Sequence, residues 1–266
     1  MRAIAQDRYG AADTPGVETR PAPSRPDRRE TVKTIGRSIT GQQKAGGLAA
    51  LFLALAYLLA MPFFLLVVDY QSAVDPAAKV ASLAANHGAM QVMYLITYVV
   101  FGIVLSILAL ALYERLKPAA PALMRAATAV GLIWAVMLIA SGLVWNAGMG
   151  AVVALYPANP AQAVSMWQVI EPVSDGLSSS DGEILGGLWV LLVSIAGLRV
   201  GGFSRAFGWF GVVVGAIGLA SVIPPLTDAA ILFGLVQIVW FVWLGLSMLR
   251  QTERSEQLLP IQENFA

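Results

Sequence analysis

Four carboxylates lie in the stretch WQVIEPVSDGLSSSDGEILGGLW, residues 167–189, which contains no lysine and no arginine. They are Glu171, Asp175, Asp181 and Glu183. Carboxylate oxygens at flexible spacing suit a hard cation such as calcium. Two carboxylates can also act as general acid and general base. A third interpretation is an acidic loop on one side of a membrane.

The spacing of these carboxylates favours the third interpretation. The alternating acids and central glycine of an EF-hand loop are missing from the stretch. Glu171 and Asp175 would share one helix face only if a helix continued through Pro172, and an interior proline removes a helical hydrogen bond. The sequence therefore assigns no catalytic, cofactor-binding or metal role, and the four carboxylates remain only candidate metal ligands.

The composition indicates a membrane protein. Charged residues make up 12% of the 266 residues, against about 25% in soluble domains, and hydrophobic residues make up 58%. Mean hydropathy is +0.71. A net charge of +1 favours no nucleic-acid partner. The absence of cysteine and the single histidine, His87, exclude thiolate sites and sites that need paired histidines.

Six apolar segments predict the fold class: an all-α, polytopic membrane protein with a bundle of six transmembrane helices. About 20 apolar residues cross the roughly 30 Å hydrocarbon core, and a helix satisfies its own backbone there. We expect a mobile cytoplasmic tail at 1–44, the transmembrane domain at 45–249, and a cytoplasmic C-terminal tail at 250–266. The segments are 45–68, 89–113, 123–147, 184–200, 207–226 and 229–249.

Basic residues predict the orientation, because lysine and arginine concentrate in cytoplasmic loops. Nine precede the first segment, and seven more lie in the second–third and fourth–fifth connections and the C-terminal tail. Lys79 is the one basic residue left for the other side. Both termini are therefore expected in the cytoplasm of a bacterial cell, and the four carboxylates on the outer face of its inner membrane.

A short amphipathic helix is expected in the outer loop between the third and fourth segments. Asn159 is a suitable N-cap, and Pro160 suits the first helical position. Apolar residues then recur at helical spacing, which predicts a helix on the membrane surface or over the bundle, anchored by Trp167. Three further tryptophans are predicted to lie in the aromatic belts at the membrane interfaces: Trp145, Trp209 and Trp243.

The few polar side chains within the segments have two interpretations. They form interhelical hydrogen bonds, or they line a small cavity that opens to the outer face. They are Tyr94, Tyr98, Asn146 and Gln237.

Glycines at spacings of three, four and three place one smooth face on the fifth segment, which is typical of close helix packing. The packing partner would be another helix of the same chain or a second copy. These glycines are Gly208, Gly211, Gly215 and Gly218.

Two stretches resemble known families. The opening MRAIAQDRYGAAD is similar to the N-terminus of medium-chain alcohol dehydrogenases, but no zinc ligands or dinucleotide fingerprint follow, so no dehydrogenase function is implied. The stretches LALALYERLKPAAPALMRAATAVGLI and EILGGLWVLLVSIAGLRVGGFSRAFGWFGVVVGAIGLA resemble a bacterial membrane family, domain of unknown function 4386. This resemblance, over about residues 45–249, implies a six-helix inner-membrane protein and no catalytic residues. The long N-terminal tail departs from that family.

Three functions remain open on the sequence. The favoured hypothesis is a non-enzymatic module that binds a small apolar or amphipathic molecule or a lipid, or serves as an accessory subunit, with no cofactor. The second is a small-solute transporter, whose path Tyr98, Asn146 and Gln237 would line. The third is a membrane enzyme that uses the outer carboxylates.

Overall fold

The computed structural model describes residues 28–68, 70, 73–178, 182–201 and 203–263, and these contain helices and no strand. Its α-helices are Arg28–Pro62 (α1), Pro76–Tyr94 (α2), Phe101–Leu116 (α3), Pro121–Leu155 (α4), Pro160–Ser178 (α5), Ile184–Val200 (α6), Arg205–Ala220 (α7) and Ala229–Glu263 (α8). Two π-helical segments occur: Phe63–Val67 extends α1, and Leu95–Val100 joins α2 to α3. A short 3₁₀ turn, Pro224–Leu226, precedes α8.

The helices begin and end where the local chemistry favours it. Asp75 accepts hydrogen bonds from the first backbone amides of α2, and Asn159 accepts one from the Gln162 amide in α5. Such side chains satisfy amides that have no partner inside the helix. At the end of α6, Gly201 adopts a left-handed conformation with φ of 64°, which glycine allows without steric cost.

Four helical segments are long and apolar enough to cross a membrane: Gly41–Val67, Pro76–Leu116, Pro121–Leu155 and Ala229–Thr252. At 1.5 Å per residue, α6 and α7 are only about 25 Å long, somewhat short of the roughly 30 Å hydrocarbon core. The all-helical class is thus confirmed for the described residues, with four candidate membrane-spanning helices.

Several helices extend beyond the apolar segments of the sequence. α2 starts at Pro76 rather than near residue 89, and α4 continues to Leu155. α1 begins at Arg28, inside the predicted tail 1–44, and α8 continues to Glu263. An apolar segment marks the part of a helix that can lie in lipid. Alanine and charged residues also favour a helix, so the helix can continue beyond the apolar segment. Residues 1–27 lie outside the described part of the chain.

α4 is the central helix of the compact unit formed by residues 37–266, where it packs against α2, α3, α5 and α6. α7 packs between α6 and α8. α1 approaches α8 closely: a Cβ atom added to Gly245 would lie 2.9 Å from the Gly47 carbonyl oxygen. Close approach of two backbones at glycines is a common way to pack helices in lipid.

The glycine face of α7 lies against other helices of the same chain. A Cβ atom on Gly215 would lie 2.7 Å from the Gly187 carbonyl oxygen of α6, and one on Gly218 would lie 2.8 Å from the Gly187 Cα atom. Gly208 faces Leu198, and Gly211 faces Ser194 and Trp240. These glycines therefore let α7 pack directly on α6 and α8.

Candidate functional site

A cavity of about 900 Å³ lies among the helices. Its walls come from the end of α1, both π-helical segments, α2, the start of α3, α4, α5 and the beginning of α8. Tyr70, in the loop before α2, and Glu183, just before α6, also line it. The charged side chains in its lining are Lys79, Glu171, Asp175 and Glu183. The structure thus brings together three of the four carboxylates that the sequence singled out. Asp181 lies outside the described residues.

Both π-helical segments contribute to this cavity. Phe64 and Leu65 lie in the first segment, and Thr97 and Tyr98 lie in the second; all four line the cavity. A π-helical turn inserts an extra residue into an α-helix and re-aims the neighbouring side chains, and such turns are frequent at functional sites. The irregular backbone therefore coincides with the cavity wall.

Aromatic rings form a continuous part of the wall. Tyr94 stacks on Trp145 with ring centroids 4.4 Å apart, and Tyr98 follows at 5.4 Å from Tyr94. The Tyr70 ring meets Trp145 edge-on at 6.2 Å. All four residues line the cavity. Tyr94 and Tyr98, two of the four predicted cavity residues, are therefore found there.

Glu171 is the centre of a hydrogen-bond network at one end of the cavity. Its Oε1 atom accepts a hydrogen bond from Lys79 Nζ at 2.7 Å and another from the Tyr70 hydroxyl at 2.9 Å. Trp167 Nε1 donates to the Tyr70 hydroxyl oxygen at 2.7 Å. Burial, together with the Glu171 charge, raises the pKa of Tyr70, which keeps its hydroxyl a neutral donor. This network joins α5 to α2 and to the loop that contains Tyr70.

The expectation that Pro172 would stop a helix between Glu171 and Asp175 is wrong. α5 continues through Pro172, so the two carboxylates lie one turn apart and both line the cavity. Tertiary contacts offset the missing hydrogen bond: α5 packs against α4, and Ser141 Oγ donates to the Ser174 carbonyl oxygen at 2.8 Å. Packing of this kind overrides a local helix-breaking signal.

Two tryptophans lie inside the protein, which corrects the membrane-interface prediction for Trp145 and agrees, for Trp167, with the alternative of a helix that packs over the bundle. Trp167 is 1% exposed and Trp145 is 2% exposed, and their rings meet at 4.9 Å. α5 thus packs over α2 and α4, with Trp167 pointing into the protein. Trp209 and Trp243 do lie at the surface, where they are 63% and 37% exposed.

Glu183 lies immediately before α6. Its backbone N–H donates to Ser221 Oγ at 2.9 Å, and Ser221 Oγ donates to the Gly218 carbonyl oxygen at 2.6 Å. The carboxyl group differs from that of Glu171, because its Oε2 atom is buried and has no hydrogen-bond partner among the described residues.

The surroundings of the Glu183 carboxyl are apolar. A Cβ atom added to Gly186 would lie 3.0 Å from Oε2, 3.0 Å from the Trp134 ring and 3.2 Å from the Phe233 ring, so these groups adjoin one another. Burial raises the pKa of Glu183 to about 8, because a charged carboxylate loses its hydration there. The carboxyl is therefore mainly protonated, and neutral, at pH 7.

The other two predicted polar residues lie away from the cavity lining. Asn146 Nδ2 donates to the Gly142 carbonyl oxygen at 2.8 Å. Gln237 is fully buried in α8, and within the described structure neither polar atom of its side chain has a hydrogen-bond partner. Nor do the described residues gather three histidine, cysteine or carboxylate groups in a way that could hold a metal ion.

Sequence reasoning missed Tyr57 and Tyr70, which line the cavity from α1 and from the loop before α2. It also assigned no ion-pair partner to Lys79. One signal was present: Lys79 is the single cation placed on the side that holds four carboxylates. A pair between Lys79 and one of them was therefore a reasonable expectation.

Comparison of the chain with protein-family models, with curated proteins and with solved structures found no match. The geometry of the cavity is therefore the basis for assigning a function. Aromatic faces, apolar walls and carboxylates at one side suit a molecule with an apolar body and a polar group.

Proposed function

We propose that this chain is a membrane protein that binds a small amphipathic molecule in the cavity without transforming it. The observation that supports this function is the cavity itself. Its volume of about 900 Å³ lies within the roughly 300–1,000 Å³ typical of ligand pockets, which are mostly apolar with a few polar groups. We further propose that the protein belongs to the six-helix family that it resembles.

In this proposal α6 and α7 cross the membrane as well, giving six crossings with both termini in the cytoplasm of a bacterial cell. Short helices are accommodated by local thinning of the bilayer. Contacts at one end support a common cytoplasmic side: Arg115 of α3 donates hydrogen bonds to Gln43 of α1 and to Gln251 of α8, and its guanidinium lies 4.6 Å from the Phe203 ring centroid.

Exposed apolar side chains of the cavity lining support access from the lipid. α1 and α8 touch at Gly47 and Gly245. Both also line the cavity, with Leu65 in the extension of α1 and Ile231 near the start of α8. These two side chains are 53% and 65% exposed. An apolar rim of this kind would admit the apolar part of a molecule dissolved in the bilayer.

A small-solute transporter is the second candidate. The two π-helical segments in the cavity wall favour it, because such segments are places where a helix can shift its hydrogen-bond register. Of its three proposed path residues, Tyr98 lines the cavity. Uptake or efflux measured for a panel of compounds in a deletion strain would distinguish transport from binding alone.

The binding function is tested by native mass spectrometry of protein purified in mild detergent. Gly234 lines the cavity, and a Cβ atom there would meet nothing within 4 Å, so Gly234→Trp should place an indole ring in the cavity and obstruct ligand binding without disturbing the helix. Gly150 in α4 is equally open but is not part of the lining, so Gly150→Trp is the matched control. We expect a bound small molecule that Gly234→Trp alone removes. Spectra without any adduct would contradict the proposal.

A further inference from the structure

We propose that the molecule bound in this cavity carries a positively charged amine or quaternary ammonium group, which the carboxylate of Glu183 attracts. This inference rests on the proposed binding function and specifies the chemistry of the ligand. It assigns Glu183 as the residue that selects the cation.

The balance of charge in the cavity is the first argument. One lysine and three carboxylates are the charged residues of the described lining. Lys79 forms an ion pair with Glu171, with 2.7 Å between Nζ and Oε1, so these two charges offset each other. Glu183, whose Oε2 atom has no hydrogen-bond partner among the described residues, then adds a negative charge to the lining whenever it is ionised. A cation would be attracted to such a cavity, and an anion would be repelled.

The aromatic wall is the second argument. Ring faces of tryptophan and tyrosine attract cations, with the centre of charge within about 6 Å of the ring centroid. Trp145, Tyr94 and Tyr98 form such a wall beside the carboxylates. Carboxylates combined with aromatic faces are well suited to an ammonium group on an apolar body, because the rings also cover its carbon atoms.

The Oε2 atom of Glu183 is the third argument, and it is independent of the number of acids. This atom is buried, lacks a hydrogen-bond partner in the described structure and belongs to a residue of the cavity wall. Other buried side-chain atoms without a partner occur in the described structure, such as both polar atoms of Gln237, but Glu183 Oε2 is the one carboxylate oxygen among them, and an ionised group is the most costly to bury alone. A bound cation would supply the missing electrostatic partner of the ionised carboxylate.

Cation binding should therefore displace a proton from Glu183. Burial raises the pKa of this carboxyl, and a neighbouring positive charge would lower it again. The other ionisable groups that share the cavity with Glu183 include Tyr57 from α1, Tyr70 from the loop before α2, Tyr94 from the end of α2, Tyr98 from the second π-helical segment, and Asp175 from α5. Of these, Tyr57 interacts directly with the Glu183 charge. Lys79 and Glu171 lie in the same cavity as an ion pair. Trp134 of α4, Phe233 of α8 and Ser221 after α7 adjoin Glu183 but do not titrate.

The test compares two ions of nearly equal size and opposite charge, tetraphenylphosphonium and tetraphenylborate. Their saturable binding to the full chain is measured by equilibrium dialysis in a neutral maltoside detergent at pH 7 and pH 9. Binding in the cavity is the part that Gly234→Trp abolishes and Gly150→Trp retains. We expect the cation to bind at least tenfold more tightly than the anion, and more tightly at pH 9 than at pH 7.

The variant Glu183→Gln keeps the size and polarity of the side chain and removes its charge. It should weaken cation binding about tenfold or more, remove most of its pH dependence and strengthen anion binding at pH 9, where the ionised wild-type carboxylate repels the anion. Retained thermal stability of the variant would show that it is folded. Unchanged cation affinity in the folded variant would overturn the role of Glu183.

The remaining outcomes separate this inference from the binding function. If both ions bind equally and Gly234→Trp removes both, the preference for a cation is overturned and the binding function stands. If neither ion shows saturable binding and native spectra show no adduct, the binding function fails and this inference fails with it.

An ammonium group could come from a lipid headgroup or from a free amine. Competition against bound tetraphenylphosphonium separates the two sources. Displacement by phosphatidylethanolamine would indicate a lipid, and displacement by decylammonium alone would indicate a free amphipathic amine. Either result supports an ammonium ligand, whereas displacement by neither would overturn it.

Discussion

Two glutamates in one cavity have opposite surroundings. Glu171 accepts hydrogen bonds from a lysine and a tyrosine, whereas Glu183 has a buried Oε2 atom with no partner among the described residues. Both belong to the same short acidic stretch of the chain. Composition alone would therefore treat them alike, and only their tertiary surroundings distinguish them.

The difference separates a structural role from a functional one. A carboxylate that keeps its hydrogen-bond partners stabilises the fold. Removing one partner of a buried ion pair leaves the other charge buried without compensation, which lowers stability. A buried carboxylate oxygen without a partner lowers stability, and proteins tolerate such groups mainly at functional sites. We therefore expect substitutions at Glu171 and its partners to weaken the fold, and substitution of Glu183 to strengthen it at high pH.

Glu183→Gln should produce the largest change. The pKa of Glu183 is higher in the folded protein, at about 8, than in the unfolded chain, so its stabilising contribution is complete at low pH and is lost as pH rises through 8. The wild-type free energy of unfolding should therefore fall, relative to that of the variant, by roughly 2–4 kcal/mol between pH 5 and pH 9. Urea or thermal unfolding of both proteins across this range measures the difference. Parallel curves would contradict the assignment.

Lys79→Ala should have the next largest effect, and in the opposite direction. It leaves the half-buried Glu171 carboxylate without its cation, which should reduce the free energy of unfolding by about 1–3 kcal/mol. Lys117→Ala is the matched control, because Lys117 and Glu114 form a more exposed pair that should contribute less than about 1 kcal/mol. Equal losses in the two variants would show that the Lys79–Glu171 pair has no special structural role.

Tyr70→Phe should have a moderate effect at the same end of the cavity. The change removes a donor to Glu171 and leaves the buried Trp167 N–H without its acceptor, at a cost of about 1–2 kcal/mol. Tyr156→Phe, outside this network, serves as the control. Thermal unfolding should show a lower midpoint for Tyr70→Phe alone, and an unchanged midpoint would mean that the network is not needed for stability.

Ser221→Ala should have the smallest effect. Its hydroxyl accepts a hydrogen bond from the Glu183 backbone and donates one to the Gly218 carbonyl. Its loss should cost about 1 kcal/mol by freeing the start of α6. Since the Glu183 carboxyl stays in place, the pH dependence of stability should match that of the wild type. A changed pH dependence would indicate that Ser221 also controls the carboxyl group.

Local signals predicted much of the fold. The long apolar segments predicted helices, and Asn159 followed by Pro160 predicted the start of α5. The course of α5 through Pro172 could not be predicted, because it depends on packing against α4. The start of α2 at Pro76 was missed because its first turns are rich in alanine and are interrupted by Lys79, Asn86 and His87, so they do not form a strongly apolar run.

The site was predictable only in part. The carboxylates and the two tyrosines of the π-helical region were visible in the sequence as chemistry-bearing residues. Their meeting in one cavity depends on contacts such as Tyr70 with Glu171, which are 101 residues apart in the chain. The same long-range packing buries Trp145 and Trp167, which single-residue preferences would place at a membrane interface.

Proton release on cation binding tests the central claim most directly. Calorimetric titration of the full chain with tetraphenylphosphonium at pH 7, in buffers of different ionisation enthalpy, counts the protons released. We predict a release approaching one proton for the wild type and almost none for Glu183→Gln. Cation binding by the wild type without proton release, or equal release by both proteins, would contradict the distinction between the two glutamates.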